Sequence, residues 1–415
     1  MADLVLLNVS GEDRPGVTAS FTELLGQFDI DILDIGQAVI HNHLNLGLLV
    51  NLPADNKAIH DRILACATSL GVKVKFSTVL EESYDDWVES QGQSRFILTL
   101  LARRIKSTHI AEVSRVVANH GLNIDAIVRL SGRVPLVADD DAVKACVEFS
   151  LKGRPHDSTE FRAALMTVSG EWDIDIAVQE DSIFRRNRRL IAFDMDSTLI
   201  STEVIDELAI LAGVGAQVAE VTECAMRGEI DFSDSLRQRV ALLKGLDEAC
   251  LQQVAASLPL TEGVEHLFEV LNKLGYKTAI LSGGFTYFAK ALQQRLGVDY
   301  VYANELEIED GVLSGRVIDP VVDAKMKAEL LKELASQENI SMEQVIAVGD
   351  GANDLLMLAT AGLGIAFHAK PIVRQNAKQS ISTMGLDSIL YLMGIRDRDA
   401  AVLDAQKPPE FDVNM

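Results

Sequence analysis

The stretch Arg189-Leu190-Ile191-Ala192-Phe193-Asp194-Met195-Asp196-Ser197-Thr198 decides the fold. Leu190 to Phe193 is a short apolar run bounded by charge, the pattern of a buried strand. Two carboxylates, Asp194 and Asp196, follow at its carboxyl end. In an open α/β sheet that edge is where ligands bind. One carboxylate can attack a substrate while its neighbour handles a proton. An acidic strand-to-helix turn, with Asp and Ser/Thr acting as caps, carries the same signature. Residues further along the chain separate the two readings.

From Leu190 onward, strand patterns alternate with helical ones. Lys277 to Leu281 is strand-like and ends in Ser282-Gly283-Gly284. Tyr300 to Ala303 predicts a short strand, and Leu306 to Val317, with Asp310-Gly311 at its centre, predicts a hairpin. Val345 to Val348 is a strand ending in Gly349-Asp350-Gly351, and Leu363 to Ala366 is another. Parallel strands alternating with helices predict a doubly wound α/β sheet. Val204 to Cys250 is helix-rich without a clear strand, and is expected to be inserted as a cap over the strand ends. Four of the predicted element ends carry groups suited to phosphoryl transfer. The first has Asp194 and Asp196. The second has Ser282, with glycines that let backbone N–H groups approach an anion. The third is Lys327, on a helix expected from about Lys325 to Ser336, and the fourth is Gly349-Asp350-Gly351-Ala352-Asn353-Asp354. Each has an ordinary structural explanation alone; their joint occurrence in this order points to one site.

Working toward the N-terminus, the chain contains a diverged repeat. Leu4–Val9, Val17–Phe28, Asp29–Ile40, His43–Leu52, Lys57–Leu70 and Val72–Val79 read as β-α-β-β-α-β, the split ferredoxin-like order. A second copy runs through Phe96–Leu101, Ile110–His120, Ile124–Leu130, Ala145–Leu151, Thr159–Val168 and Trp172–Val178, with extra length expected in the loop from Arg133 to Asp141. Asp29-Ile30-Asp31-Ile32 and Asn123-Ile124-Asp125-Ala126 echo one another at the same place in each copy. Tyr84 to Ser94 reads as an acidic linker, and Glu180 to Arg189, with its basic cluster, as a solvated one.

Composition narrows the function classes. The 415 residues carry 38 basic and 61 acidic side chains, a formal charge of −23, which argues against a nucleic-acid partner. No basic n-region precedes the strand-like run at Leu4, and no apolar stretch reaches membrane-spanning length, so a cytoplasmic protein with no membrane partner is expected. Cys66, Cys146, Cys224 and Cys250 form no C-x-x-C pair and read as reduced thiols. His41 and His43 have no third ligand nearby in sequence and read as surface residues.

The order D-x-D-S-T, S-G-G, K, G-D-G-x-N-D at Asp194, Ser282, Lys327 and Gly349 resembles the haloacid-dehalogenase-like phosphatases. Glu203 and the cap segment Met226-Arg227-Gly228 … Phe232 … Ser235-Leu236-Arg237-Gln238-Arg239 narrow the likeness to the phosphoserine phosphatases. The two N-terminal copies resemble ACT domains. The resemblance implies ACT domains at 1–84 and 94–181 and a phosphatase domain at 188–398 with its cap at about 202–272, while the terminal segment 404–415, with Pro408-Pro409, reads as a flexible tail. It implies hydrolysis of O-phospho-L-serine, the last step of serine biosynthesis. Asp194 would be the nucleophile and Asp196 the general acid and base. Mg2+ would be held by Asp194, the carbonyl of Asp196 and Asp350, with Asp354 supporting its waters. Ser282, Gly283 and Lys327 would bind the phosphoryl oxygens and Asn353 would contact substrate. Glu203 suits the substrate ammonium and Arg239 its carboxylate, by a two-pronged hydrogen bond. Seven residues separate Phe232 from Arg239, placing both on one helix face, away from Arg237. Met226 and Phe232 suit either the pocket wall or an ordinary cap core.

Gly11-Glu12-Asp13-Arg14-Pro15-Gly16 matches the ACT effector loop, where Gly11, Asp13 and Gly16 would hold an amino-acid effector such as L-serine; a tight turn demands the same residues. Copy two has Ala102 to Thr108 there, without Pro-Gly. A homodimer through the ACT domains is also implied. Two other functions stay open on sequence: a phosphatase of another small ester, and an amino-acid sensor with an inactive phosphatase unit.

Overall fold

The computed structural model describes residues 3–133 and 143–404. Of the loop extension expected from Arg133 to Asp141, residues 134–141 lie outside the described residues, as does the expected tail of 404–415 from 405 onward. The chain divides into two compact units, one ending at Gln93 and one beginning at Ser94.

The first unit contains β1 (Asp3–Glu12), α1 (Val17–Gly26), β2 (Ile32–Ile40), β3 (His43–Leu52), α2 (Lys57–Leu70), β4 (Lys73–Thr78) and α3 (Glu81–Glu89). Its antiparallel sheet runs β2-β3-β1-β4. Val5, Leu7 and Val9 alternate inward along β1 and meet Phe21, Leu24 and Leu25 of α1 and Ile59 and Ile63 of α2. Gly16 caps α1 at φ 94°, a conformation that favours glycine, so the turn explains this residue without a ligand. Helix α3 replaces part of the expected linker. Its acidic first turn, Glu81 and Glu82, complements the helix dipole.

The second unit opens with β5 (Arg95–Ala102), α4 (Ser107–Asn119), β6 (Asn123–Arg129), β7 (Ala145–Lys152), α5 (Ser158–Trp172) and β8 (Asp175–Glu180), in a sheet ordered β6-β7-β5-β8. Trp172 ends α5 instead of starting the last strand, because the left-handed Asp173, φ 51°, closes the helix.

Next come β9 (Leu190–Phe193), α6 (Val204–Leu211), α7 (Gly215–Met226), α8 (Phe232–Leu242), α9 (Ala249–Ser257), α10 (Val264–Lys273), β10 (Lys277–Phe285), α11 (Thr286–Leu296), β11 (Tyr300–Glu309) and β12 (Val312–Ile318). The unit is completed by α12 (Ala324–Gln337), β13 (Val345–Gly349), α13 (Leu355–Thr360), β14 (Leu363–Phe367), α14 (Pro371–Asn376), β15 (Gln379–Ile381), α15 (Ile389–Leu392) and α16 (Asp397–Asp404). The seven strands run β12-β11-β10-β9-β13-β14-β15, parallel except for the β11–β12 hairpin. Strand β11 absorbs both the expected short strand and the first arm of the hairpin, which turns at Asp310 and Gly311, both with positive φ. Strand β9 is buried on both faces: Ile191 and Phe193 point into one core layer, Leu190 and Ala192 into the other. Strand order reverses at β9, between β10 and β13, which sets a crevice at its carboxyl end.

Helices α6 to α9 form the insertion. A bridge between Ile200 and Leu260 closes it, and Thr261 N–H bonds the Leu199 carbonyl at 3.0 Å. The insertion therefore ends before 272, the expected limit: α10 packs on β10 and α11, driven by Leu267, Phe268 and Leu271. The second βαββαβ sheet is not separate from this body. Leu101, Leu130, Cys146 and Ala177 share one core with Ile389, Leu390 and Leu392. The basic run before β9 is not solvated throughout either. Arg185 is buried against Glu148, and Arg188 donates to the Glu343 carbonyl.

Candidate active site

The Asp194 N–H bonds the Val348 carbonyl at 2.9 Å, extending the β9–β13 pairing by one residue and fixing where the carboxylate starts. The chain then turns sharply. The N–H groups of Leu199 and Ile200 both reach the Met195 carbonyl, at 2.9 and 3.1 Å, and Ser197 has φ 56°. Asp194 and Asp196 are both buried. Asp194 Oδ1 accepts from its neighbour's N–H, Met195, at 2.7 Å and lies 2.9 Å from Lys327 Nζ. Asp196 Oδ1 accepts from Val204 N–H at 3.0 Å, which ties it to the first residue of the cap. Burial, then Glu203 and Asp194, push its carboxyl well above the usual range.

Lys327 is fully buried in the first turn of α12. Its ammonium bridges Asp194 and Asp354, at 2.9 and 2.7 Å. Burial disfavours the charge, but the two carboxylates outweigh it and hold the lysine above its ordinary range. Asp354 Oδ2 also accepts from Gly351 N–H at 3.0 Å. Gly349 makes this fold-back possible, since a Cβ there would lie 2.4 Å from Asp354 Cγ. Oxygens of Asp194, Asp350 and Asp354 lie within 4.8 Å of one another. Burial, then Asp194, raise Asp350 to about 8 and Asp354 to about 7. Three crowded carboxylates with one lysine between them are a hard-oxygen donor set that fits a divalent cation. Asp354 already spends both oxygens on Lys327 and Gly351, so Asp194 and Asp350 have more left to offer a cation.

Ser282 is fully buried at the end of β10. Its Oγ accepts from Gly284 N–H at 2.9 Å, which leaves the hydroxyl proton to donate. A Cβ on Gly284 would sit 2.3 Å from Asp196 Oδ2, and one on Gly283 would sit 2.7 Å from the Phe232 ring. The glycines thus admit Asp196 from one side and the cap from the other. The Gly283 carbonyl accepts from Asn304 Nδ2 at 2.8 Å, and Asn304 is itself held by Val322 N–H at 2.7 Å. Asn304, fully buried, was not singled out by sequence because it lies mid-strand in β11 with no motif around it.

Asp194, Asp196, Glu203, Phe232, Arg239, Gly283, Asp350 and Asn353 all line one cavity of 630 Å³ between cap and sheet. Ser282 and Lys327 sit just behind its wall. Glu203 precedes α6 and receives a 3.0 Å hydrogen bond from Ser197 Oγ. Its side chain opens into the cavity, while its carboxyl is pushed up by desolvation and by Asp194. Arg239 is half-buried. Its Nε approaches the Ser235 carbonyl at 3.4 Å, and among the described residues its guanidinium forms no ion pair. Desolvation lowers its pKa, against the pull of Glu203 and Asp206. Arg237 instead bonds Asp319 at 2.8 Å, outside the cavity. Met226 lines the rim and is 65% exposed, so it is not cap core. Sequence reasoning also passed over Asp206 and Lys370 at the mouth, which carry no motif. Asp13 and Gly16 are exposed in the β1–α1 loop of the first unit, where Asp13 N–H bonds the Asn42 carbonyl at 2.8 Å, while Gly11 is half-buried in β1, paired with Leu44.

Residues 188–362 match the haloacid dehalogenase-like hydrolase family, and residues 3–77 and 94–179 match ACT domains. The chain is 40% identical to a phosphoserine phosphatase of Mycobacterium tuberculosis over 404 residues, 97% of this chain and 95% of the relative. It is 39% identical to one of Streptomyces coelicolor, over 96% of this chain and 94% of the other. Among solved structures, a probable phosphoserine phosphatase of Vibrio cholerae superposes with a TM-score of 0.58 at 34% identity, covering 77% of this chain and 92% of that one. A haloacid dehalogenase family hydrolase of Salmonella enterica serovar Typhi gives a TM-score of 0.62 at 32% identity, covering 72% and 98%.

Proposed function

Since the chain belongs to the phosphoserine phosphatases of the haloacid dehalogenase-like hydrolases, we propose that it hydrolyses O-phospho-L-serine through an aspartyl-phosphate on Asp194. The observation that carries this is the single cavity shared by Asp194, Glu203 and Arg239. A phosphate needs the first, and a zwitterion needs the other two.

Arg239, half-buried without an ion pair among the described residues, holds the substrate carboxylate, and Glu203 holds the ammonium. Ser282, with its proton free to donate, and the Gly283 N–H position the phosphoryl oxygens. Asp194 attacks phosphorus, forming the aspartyl ester as the phosphorus–serine oxygen bond breaks. Asp196, kept protonated by its raised pKa, gives its proton to that oxygen and L-serine leaves. The Asp196 carboxylate then takes a proton from water, which attacks the phosphoryl group and returns Asp194 and inorganic phosphate. Lys327 holds the Asp194 carboxylate in place and offsets negative charge as it builds. Asp194, the Asp196 carbonyl and Asp350 would hold Mg2+, with Asp354 behind them. That ion supplies charge neutralisation between an anionic nucleophile and an anionic phosphate.

The reaction is the last step of serine biosynthesis, in the cytoplasm. Among the described residues no helix is long and apolar enough to cross a membrane. An amino acid, L-serine first, binds at Gly11, Asp13 and Gly16, and the ACT domains pair two chains into a homodimer.

Phosphate release from O-phospho-L-serine tests the reading. The native chain should turn over and Asp194→Asn should lose at least about a thousandfold in kcat. Arg239→Ala should lose about a hundredfold in kcat/KM on phosphoserine, the scale of a lost charged hydrogen-bond pair. On an aryl phosphate the same variant should change little. Equal losses on both substrates would remove the zwitterion assignment.

A further inference from the structure

The second unit holds a cleft that the phosphatase reaction does not use. It lies between α5 and the segment from α14 to β15, with a volume of 330 Å³. Arg162, Arg374 and Lys378 line it together with Leu165, Met166 and Ile176. Among the described residues no carboxylate lines it, in a chain with 61 acidic residues against 38 basic. None of the three cations has an ion-pair partner among the described residues. Some exposed arginines elsewhere in the unit do: Arg237 pairs with Asp319, Arg295 with Glu265 and Arg316 with Glu307.

The cleft walls are fixed to one another. The Gln379 side-chain amide donates to the Val178 carbonyl and accepts from Val178 N–H at 2.8 Å. Asp175 accepts from the N–H groups of Ser382 and Thr383, at 2.7 and 2.9 Å, and from Thr383 Oγ1 at 2.8 Å. A ligand therefore meets a preformed site and loses little to ordering it. Three cations in one lining favour an anion between them. The apolar side chains call for an apolar body. The lining offers an ammonium only neutral acceptors such as Thr159 and Asn376 and no carboxylate, which disfavours amino acids.

We infer that this cleft is a binding site for a small carboxylate with a branched apolar body and no ammonium, a 2-oxo acid of leucine size being the fitting class. Bound there, it bridges the second βαββαβ sheet to the catalytic sheet. The site is separate from the cavity that holds Asp194, so the inference does not depend on which ester is hydrolysed.

Isothermal titration of the full-length protein tests it, with 4-methyl-2-oxopentanoate as probe and L-leucine as its zwitterionic counterpart. Saturable binding of the oxo acid is expected, with leucine at least tenfold weaker, and pyruvate weaker than the oxo acid for want of an apolar body. Arg162→Ala combined with Arg374→Ala should weaken the oxo acid tenfold or more while phosphoserine hydrolysis stays unchanged. Should that pair fold poorly, Lys378→Glu at an exposed position gives the same readout. No heat with the oxo acid, equal binding of leucine, or affinity untouched by the substitutions would each overturn the inference.

Discussion

Lys327 concentrates the chemistry of the site in one side chain. It is completely buried and pairs with two carboxylates, so removing its charge strands both. Lys327→Met should cost about 3–5 kcal/mol of stability at neutral pH, the usual result of breaking a buried pair from one side. Arg237→Ala, which breaks a pair at the surface, should cost under about 1 kcal/mol. Urea unfolding of both variants checks this, and similar losses would contradict it. The same cluster sets a pH dependence. Asp350 and Asp354 are raised to about 8 and about 7, above the unfolded value of about 4. The metal-free folded chain thus binds more protons than the unfolded chain between those limits. Its stability contribution falls as pH rises through that window. A divalent cation needs the deprotonated set and opposes this trend. The rise in Tm on adding Mg2+ should therefore be small near pH 5 and large near pH 8. An equal rise at both would show that these carboxylates are not what the ion binds.

At the scale of elements, what the sequence made legible was whatever local patterning controls. Strand β9 could be read from Leu190 to Phe193 because burial on both faces leaves a continuous apolar run bounded by charge. The motif residues Asp194, Ser282 and Asp350 could be read because strand ends and glycines mark them. Lys327 was placed on its helix, but its partners Asp194 and Asp354 come from two different strand ends, and no spacing reveals that. Asn304, Lys370 and the burial of Arg185 were hidden for the same reason: each depends on a contact distant in sequence. Strand β15 was missed because three residues are too few to show a period. It nevertheless carries much of the junction between the two sheets of the second unit. Asp175 of β8 accepts three hydrogen bonds from Ser382 and Thr383, directly after β15. Asp175→Ala leaves those donors without their acceptor and should cost about 2 kcal/mol or more. Asp175→Asn, which keeps an acceptor oxygen, should recover part of it. Thermal unfolding of the two variants distinguishes a specific acceptor from mere loss of volume.

The whole molecule consists of a first unit with its own core and a second in which a βαββαβ sheet and the catalytic sheet share one. The sequence motifs alone invite a cut at Arg188, ahead of β9. That cut would remove Leu101, Leu130, Cys146 and Ala177 and uncover apolar side chains at Ile389, Leu390 and Leu392. It would also strip Asp387 of Lys144 and Glu262 of Arg103, both close to the return of the cap at Leu260. Exposed apolar area of that kind costs stability in proportion to its size and promotes association. A cut at Ser94 removes only a unit that has its own core. A chain beginning at Ser94 should therefore unfold in one cooperative transition and retain kcat on phosphoserine. A chain beginning at Arg188 should melt well below it or aggregate. The Ser94 chain is also the proper test of regulation through Gly11, Asp13 and Gly16. It should lose any response of phosphate release to L-serine that the full chain displays beyond product inhibition at the Asp194 cavity, while its basal rate stays the same. A response beyond product inhibition that survives the deletion would place the effector in the second unit and remove the β1–α1 loop as its site.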